Sequence, residues 1–345
     1  MMQANGWGSR CIWALGLAMW VFSGAARAQS SVAFYGLADA FVGELHPAGA
    51  RGNAWQVGSG GMTTSYWGMS GQEDLGHGLK TVFTLEGFFR INSGQSGSFT
   101  GQSFFGRNAF VGLAGDFGKL TVGRNTAPLF VSTLLFNPFG NSFAFSPIVI
   151  HSYLDSALGA APVQGDTALD NSLLYQTPQL GGLSGSVLYS NAGVAGHPGQ
   201  ANYSASVLYF AGPFSATAAV QSLHTTSILL NQATAQTAYL VGGAYRFALA
   251  KLYAQYEHIE NNSPVKDDTC QLGASVPAGA GSVLMSWAGT WRRQAPGANV
   301  RWMTAALGYD YPLSKRTDLY AAYRYDKVAG VPSGSSMGAG LRVQF

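Results

Sequence analysis

The chain has 345 residues, of which 47% are hydrophobic and only 10% are charged, and its formal net charge at pH 7 is +3. So small a charge provides no long-range field that would hold nucleic acid. A helical membrane protein would need several apolar runs of about 20 residues. The sequence contains one such run, at its N-terminus, so the composition excludes a multi-helix membrane bundle.

The N-terminal apolar run predicts a signal peptide. Arg10 supplies a positive charge, residues 11–24 are apolar, and Ala26–Ala28 reads A-x-A, the pattern of a cleavage site. We expect residues 1–28 to be removed and residues 29–345 to form one exported domain. An N-terminal anchor helix is the alternative interpretation.

Apolar and polar residues alternate along the exported domain. In residues 81–90, for example, Phe83 and Leu85 fall on one face, whereas Glu86 and Arg90 fall on the other. A period of two indicates β-strands whose two faces meet different environments. A soluble β-sandwich would show the same alternation. The lengths of the connections between strands are needed to distinguish a sandwich from a membrane β-barrel.

The predicted strands are sixteen in number. They span residues 31–45, 61–72, 78–90, 104–114, 119–126, 168–177, 183–191, 201–211, 213–223, 236–247, 250–260, 267–276, 281–291, 300–311, 316–327 and 336–345. Their connections alternate between tight turns and mostly longer loops, which is typical of an outer-membrane barrel. In hydrocarbon, only a closed sheet gives every strand backbone group a partner. The predicted fold class is therefore all-β, a 16-stranded antiparallel transmembrane β-barrel in the outer membrane.

The last strand carries a further signal. Leu341, Val343 and Phe345 are predicted to face lipid, while Arg342 and Gln344 face the lumen. An aromatic C-terminal residue after alternating apolar residues resembles the signal that the barrel-insertion machinery reads. The insertion machinery is therefore an expected partner, through the strand that ends at Phe345.

Six stretches along the exported domain share motifs with one known family. They are SSVAFYGLADAFV (30–42), SYWGMSGQEDLGHGLKTVFTLEGFF (65–89), FGRNAFVGLAGDFGKLTVGRNTAPLF (105–130), DNSLLYQTPQLGGLSGSVLYS (170–190), LGYDYPLSKRTDLYAAYRYD (307–326) and GAGLRVQF (338–345). The chain resembles the trimeric porins of Gram-negative bacteria, in particular those of β-proteobacteria. The resemblance implies a third long loop folded into the pore and a homotrimer embedded in outer-membrane lipid and lipopolysaccharide. It also implies a channel for passive diffusion of small hydrophilic solutes and ions.

The long connection at residues 127–167, here named loop 3, is the one that the resemblance places inside the pore. Residues 137–140 read Asn-Pro-Phe-Gly and partly match the Pro-Glu-Phe-Gly element of porin constriction loops. Pro138 stands where the family often has its acidic residue, and Phe139 is carried over as a constriction residue. A loop on the surface is the alternative.

Three arginines are candidate cations of the pore wall. Arg90 shares the polar face of its strand with Glu86, and Arg107 and Arg124 match arginines in the family motifs. The resemblance implies that wall arginines face acidic groups of the loop. Each could instead be a rim arginine that binds lipopolysaccharide phosphate or closes a surface salt bridge.

The acidic side of the predicted constriction is weak. Residues 126–150 contain no Asp or Glu, and Asp155 and Asp166 come late in loop 3. Alternation adds three carboxylates of the wall: Glu86, Asp39 and Asp318. We therefore expect a modest anion preference.

Two other functions stay open at this stage. The first is a substrate-selective porin whose loop aromatics form a binding slide, namely Phe136, Phe139, Phe143, Phe145 and Tyr153. The second is a non-conducting barrel, either an adhesin or an enzyme. The six histidines are scattered, the sequence lacks hydrolase, zinc-protease and nucleotide-loop motifs, and Cys270 is the single cysteine beyond the signal peptide. No enzymatic activity and no cofactor are therefore expected.

Overall fold

The computed structural model describes residues 31–52, 54–154, 162–163, 167–191, 201–224, 235–262, 265–294, 297 and 299–345. The predicted signal peptide lies outside these residues, and so do Asp155 and Asp166. Among the described residues, no helix has both the length and the apolar character needed to cross a membrane.

The described residues form eighteen strands and two short helices. The strands are β1 (Ser31–Glu44), β2 (Trp55–Ser59), β3 (Tyr66–Gly76), β4 (Leu79–Arg90), β5 (Gln95–Ser96), β6 (Asn108–Gly115), β7 (Gly118–Thr126), β8 (Ala168–Gln176), β9 (Leu183–Asn191), β10 (Ala201–Ala211), β11 (Phe214–His224), β12 (Ala235–Arg246), β13 (Lys251–Asn261), β14 (Val265–Ala278), β15 (Gly281–Gln294), β16 (Val300–Pro312), β17 (Thr317–Val328) and β18 (Gly334–Gln344). The helices are α1 (Pro128–Leu135) and α2 (Pro147–Tyr153), both within loop 3.

The strands form one closed antiparallel barrel. Each barrel strand pairs with its neighbour in the chain, and β1 pairs with β18 to close the sheet. Strands β2 and β3 share one barrel position, because both pair with β1, and β5 is a two-residue ribbon on β4. The described part of the chain therefore has sixteen barrel positions, which confirms the predicted fold.

The clearest departure from the predicted strands concerns residues 61–72. The ladder is broken between β2 and β3 because the buried carboxylate of Asp39 accepts three backbone N–H groups there. The donors are Gly61 at 3.0 Å, Met62 at 2.9 Å and Thr63 at 2.8 Å. These N–H groups are satisfied by a side chain, so they no longer pair with β1.

The barrel carries its apolar side chains outside and its polar side chains inside. Large apolar residues more than half exposed on the outer face include Val32, Phe34, Val111, Val187, Leu272 and Leu307. Buried polar residues on the inner face include Thr121, Ser172, Ser204, Thr217, Gln255, Gln271, Thr290 and Thr304. This distribution is the reverse of a soluble protein and fits a wall between lipid and water.

Loop 3 enters the barrel directly after β7. Helix α1 begins at Pro128, which suits a first helical turn because its missing N–H needs no partner there. The Leu129 N–H donates to Ser204 Oγ at 3.2 Å, and Thr217 Oγ1 donates to Ser132 Oγ at 2.9 Å. Because Ser204 and Thr217 belong to the inward faces of β10 and β11, α1 lies inside the barrel.

Candidate functional site

Three phenylalanine rings anchor loop 3 to the inner wall. Phe136, Phe139 and Phe145 are each at most 1% exposed. The ring of Phe145 meets Phe41 of β1 at a centroid distance of 6.1 Å. These rings therefore fix the loop and do not face the channel. This corrects the placement of Phe139 at the constriction, and it removes three of the five aromatics from the slide that the alternative interpretation named.

Glycines on the inner wall leave room for the tip of loop 3. A Cβ on Gly273 of β14 would lie 2.6 Å from Pro138 Cδ, and a Cβ on Gly308 of β16 would lie 3.0 Å from the Phe139 ring. Any larger residue would push the loop away from the wall. The position of the constriction thus depends on the absence of two side chains in distant strands.

Helix α2 is fastened by a buried histidine. The two ring nitrogens of His151 lie 2.8 Å from Thr290 Oγ1 and 2.8 Å from Thr304 Oγ1, and the ring stacks on Trp302 at 3.8 Å. Burial lowers the pKa of His151 from its usual 6.5 to about 3, although the nearby Asp326 carboxylate opposes the shift. The imidazole is therefore neutral at physiological pH.

Charged wall residues also hold loop 3. Arg324 Nη1 donates to the carbonyl oxygen of Ala144 at 2.5 Å. Ser152 Oγ donates to a carboxyl oxygen of Glu257 at 2.6 Å, and this carboxyl group is completely buried. Both side chains are therefore engaged by the loop and are shielded from the channel water.

The free side of loop 3 carries a smaller aromatic cluster. The Phe130 ring contacts Tyr153 at 5.0 Å and Phe143 at 6.2 Å. Burial raises the pKa of the Tyr153 hydroxyl, and the nearby Glu257 carboxyl group raises it further. Of the five aromatics that the alternative interpretation assigned to a slide, only Phe143 and Tyr153 are partly exposed.

Glu86 of β4 and Arg107, the residue directly before β6, come together on the barrel wall. They form an ion pair, and the Arg107 guanidinium lies over the Tyr66 ring at 4.1 Å. Glu86 also accepts hydrogen bonds from Tyr35 Oη at 2.8 Å and Asn108 Nδ2 at 2.6 Å. The Arg107 side chain is 31% exposed and that of Glu86 only 6%, so the cation is the member of the pair that meets water.

Arg90 lies above this pair on the same inward face of β4. Its Nη1 donates to Thr100 Oγ1 at 3.4 Å, a long hydrogen bond to the loop at residues 91–107, here named loop 2. Among the described residues, its buried Nε has no hydrogen-bond acceptor. Arg90 is therefore a loosely held cation near the loop rim.

Arg124 lies beside an irregularity of β7. Thr121 and Asn125 share a hydrogen bond of 2.8 Å there, and the strand register shifts between Gly123 and Asn125, so alternation does not assign a face to Arg124. Its Nε donates to the carbonyl oxygen of Gly106 at 2.8 Å, and its Nη1 donates to Asp170 at 2.8 Å. A place for Arg124 at the constriction stays a prediction.

The two other predicted wall carboxylates do reach the inner face. Asp39 is fully buried, so it holds the β2–β3 break rather than facing water. Asp318 shares Arg342 with Asp310, at distances of 2.9 and 3.0 Å, close to the short-turn rim.

Four further cations on the inner face were missed by motif reasoning: Lys80, Lys119, Arg246 and Lys251. Each adjoins a short turn, and Arg246 and Lys251 lie directly opposite each other on β12 and β13. Among the described residues, none of the four forms an ion pair with a carboxylate within 4.0 Å. Because every second residue of a strand lies on the same face, counting residues from each short turn would have predicted that these cations face inward.

A closed transmembrane barrel with a polar inner face, narrowed by an inserted loop, defines a diffusion channel. The profile of the family described as Gram-negative porin matches residues 14–330. This chain belongs to the Gram-negative porin family, whose members are channels rather than enzymes. It therefore forms an outer-membrane channel for passive diffusion.

The relatives have the same character. Outer membrane porin protein 32 of Delftia acidovorans is 30% identical over 316 residues, which cover 89% of this chain and 86% of that protein. An outer membrane porin protein of Bordetella pertussis is 28% identical and covers 94% of this chain and 97% of its own length. A solved structure described as an anion-selective porin from Comamonas acidovorans superimposes with a TM-score of 0.77 at 25% identity, over 92% of this chain and all of that one.

Proposed function

We propose that this porin conducts small hydrophilic solutes and ions with a weak preference for anions. One observation carries the proposal: among the described residues, several inner-wall carboxylates are buried and bonded, whereas four inner-wall cations form no ion pair within 4.0 Å. Mobile anions would therefore meet more uncompensated wall charge than mobile cations do.

The carboxylate half of this imbalance rests on burial. Asp39 is held by three backbone N–H groups, and Glu86 by Arg107. Asp267 forms a buried ion pair with Arg292 at 2.8 Å. Each of these carboxylates is therefore compensated by its partners and has little effect on ions in the channel water.

The cationic half rests on Lys80, Lys119, Arg246 and Lys251. Like charges directly opposite each other on neighbouring strands repel. An anion between Arg246 and Lys251 would reduce this repulsion, so the pair favours anions. Asp74 lies opposite Lys80 in the sheet and weakens the local field. The preference should therefore be modest. The description of the Comamonas structure as anion-selective supports the same direction.

The test is the reversal potential of the purified channel in a planar bilayer across a KCl gradient. The wild type should favour chloride, and the variant with Lys80, Lys119, Arg246 and Lys251 all changed to Gln should move toward potassium. The matched control changes Lys327 to Gln, because this exposed lysine lies on the outer face. Clear potassium preference in the wild type would overturn the proposal.

The constriction itself is proposed to lie between loop 3 and the wall that carries Glu86, Arg90 and Arg107. The ion pair supports this assignment because it places a partly exposed guanidinium on the inward face. The ring of Phe139 is buried against the wall and has no such role.

We also propose that three copies assemble through the outer face of β16, β17, β18 and β1. Ala40, Ala321 and Ala339 leave a shallow apolar groove of about 580 Å³ there. A heat-modifiable trimer band on gels should be lost when Ala339 is changed to Arg. Persistence of that band would contradict this interface, and a wild type that is strictly monomeric would contradict the trimer.

The remaining surfaces are assigned to lipid and to assembly. Exposed outer-face cations such as Lys327 and Arg301 suit contacts with lipopolysaccharide phosphates.

Phe345 pairs through its backbone with Gly36 and places its ring 5.9 Å from Phe34 on the lipid face. We propose that this terminal strand is what the insertion machinery binds, so Phe345→Ala should lower the amount of protein in the outer membrane.

A further inference from the structure

A cavity of about 460 Å³ lies between loop 2, loop 3 and the barrel wall. We name it the mouth pocket. It is lined by Ser59, Gly60, Thr64, Phe88, Ser98, Phe99, Gln102, Phe143, Tyr153, Leu154 and Thr167. Phe88 shares the inward face of β4 with Glu86, so the pocket opens on the channel side. Loops 2 and 3 place it at the long-loop rim.

Aromatic rings border the mouth pocket from three sides. Phe88 comes from the wall, Phe99 from loop 2, and Phe143 and Tyr153 from loop 3. Phe130 packs behind both loop 3 rings and holds them in place. Phe99 is 55% exposed, so much of its ring is available for contact with a solute.

The polar groups that the described residues contribute to the mouth pocket are uncharged at neutral pH. The Oε1 atom of Gln102 accepts hydrogen bonds from the N–H and the hydroxyl of Ser98, at 2.7 and 2.9 Å. This arrangement leaves the amide nitrogen of Gln102 as a donor, and Thr64 adds a hydroxyl. The described lining contains no Asp, Glu, Lys or Arg.

This lining selects by chemistry. A charged solute would lose part of its water shell against the phenyl rings, which is costly, and the described lining residues carry no charge to compensate it. A neutral aromatic ring would gain from contact with the phenyl rings, and a hydroxyl on that ring would find donors and acceptors. Concave, mostly apolar pockets with a few polar groups are the usual form of small-molecule sites.

We propose that the mouth pocket binds neutral, hydroxyl-bearing aromatic solutes before they pass loop 3. The inference rests on the proposed channel function and adds a solute class to it. Such a solute would occupy the path of the ions, so its binding would interrupt the ion current.

The test measures block of single-channel current by 4-hydroxybenzyl alcohol, with 4-hydroxybenzoate as the charged counterpart of the same ring. The alcohol should interrupt the current in a saturable manner and more strongly than the carboxylate. Changing Phe143 or Phe88 to Leu keeps the apolar volume but removes an aromatic face, so each should weaken block about fivefold to tenfold.

Tyr253→Leu is the matched control, because this inward tyrosine lies beside Lys251 near the opposite rim, with the ammonium 4.7 Å from its ring. Block that is unchanged in the control but weakened in the two pocket variants supports the proposal. Three results would overturn the proposal: no block by the alcohol, equal block by the carboxylate, or block of the two pocket variants that is as strong as block of the wild type. Open-channel conductance and the reversal potential are recorded in the same experiment, so failure of the channel function itself would be seen separately.

Discussion

Tyr320 donates its hydroxyl hydrogen to a carboxyl oxygen of Asp39 at 2.5 Å, across the seam where the first and last strands of the barrel meet. The two residues are 281 positions apart in the chain. The same carboxylate holds the N–H groups at the break between β2 and β3. One buried acid therefore ties the closure of the barrel to the shape of its second strand.

Removal of this acid should destabilise the barrel strongly. Asp39→Ala leaves three backbone donors and one hydroxyl without their charged acceptor, so we expect a loss of about 3 kcal/mol or more in the free energy of unfolding. Tyr320→Phe removes one donor and should cost about 1 to 2 kcal/mol. Urea unfolding in detergent, followed by tryptophan fluorescence, measures both. Equal losses in the two variants would contradict a central role for the carboxylate.

The buried imidazole of His151 should make the protein sensitive to acid. Its folded pKa of about 3 lies below the usual 6.5, so the unfolded chain binds the proton more readily. The stability that depends on neutral His151 is complete above about pH 6.5 and falls as the pH drops toward 3. Between pH 7 and pH 5 the loss should be about 2 kcal/mol.

His151→Asn isolates this contribution, because Asn stays neutral over the whole range. The free energy of unfolding of wild type and variant is compared at pH 7 and pH 5. The variant should lose about 2 kcal/mol less than wild type between the two values. Identical pH dependence in both proteins would show that His151 does not titrate on unfolding.

The anchoring rings and the channel-side ring of loop 3 should respond differently to truncation. Phe139→Ala leaves a cavity against Gly308, and we expect a loss of about 3 to 5 kcal/mol. The loosened loop should also make the open-channel current noisier. Phe143→Ala, the matched control, should cost much less because its ring is partly exposed. Similar losses in both variants would argue against the anchoring role.

The pair of Glu86 and Arg107 should influence ion preference. Glu86→Gln keeps the shape of the side chain but removes its charge, so the Arg107 guanidinium is no longer neutralised. The reversal potential in a KCl gradient should then shift further toward chloride. Asp268→Asn is the control, because this carboxylate pairs with Arg293 on the outer face. A shift of the same size in the control would mean that the effect does not arise in the channel.

The sequence alone determined the barrel and the side of the sheet that many residues occupy. Alternation is a local property of each strand, so it placed Glu86 and Arg342 inward and Leu341 outward without knowledge of the fold. Near Arg124 a β-bulge interrupts the alternation, so counting along the strand does not assign a face to that residue. The missed cations, such as Lys251, were within reach of alternation.

Only the tertiary structure decided what loop 3 does with its side chains. Whether Phe139 faces the channel or the wall depends on Gly308, which lies far away in the chain and which no local pattern connects to the loop. In the same way, Asp39 is a structural acid because distant N–H groups and Tyr320 converge on it. Contacts between distant segments follow from how the closed barrel packs around its loop, and a period of two carries no information about them.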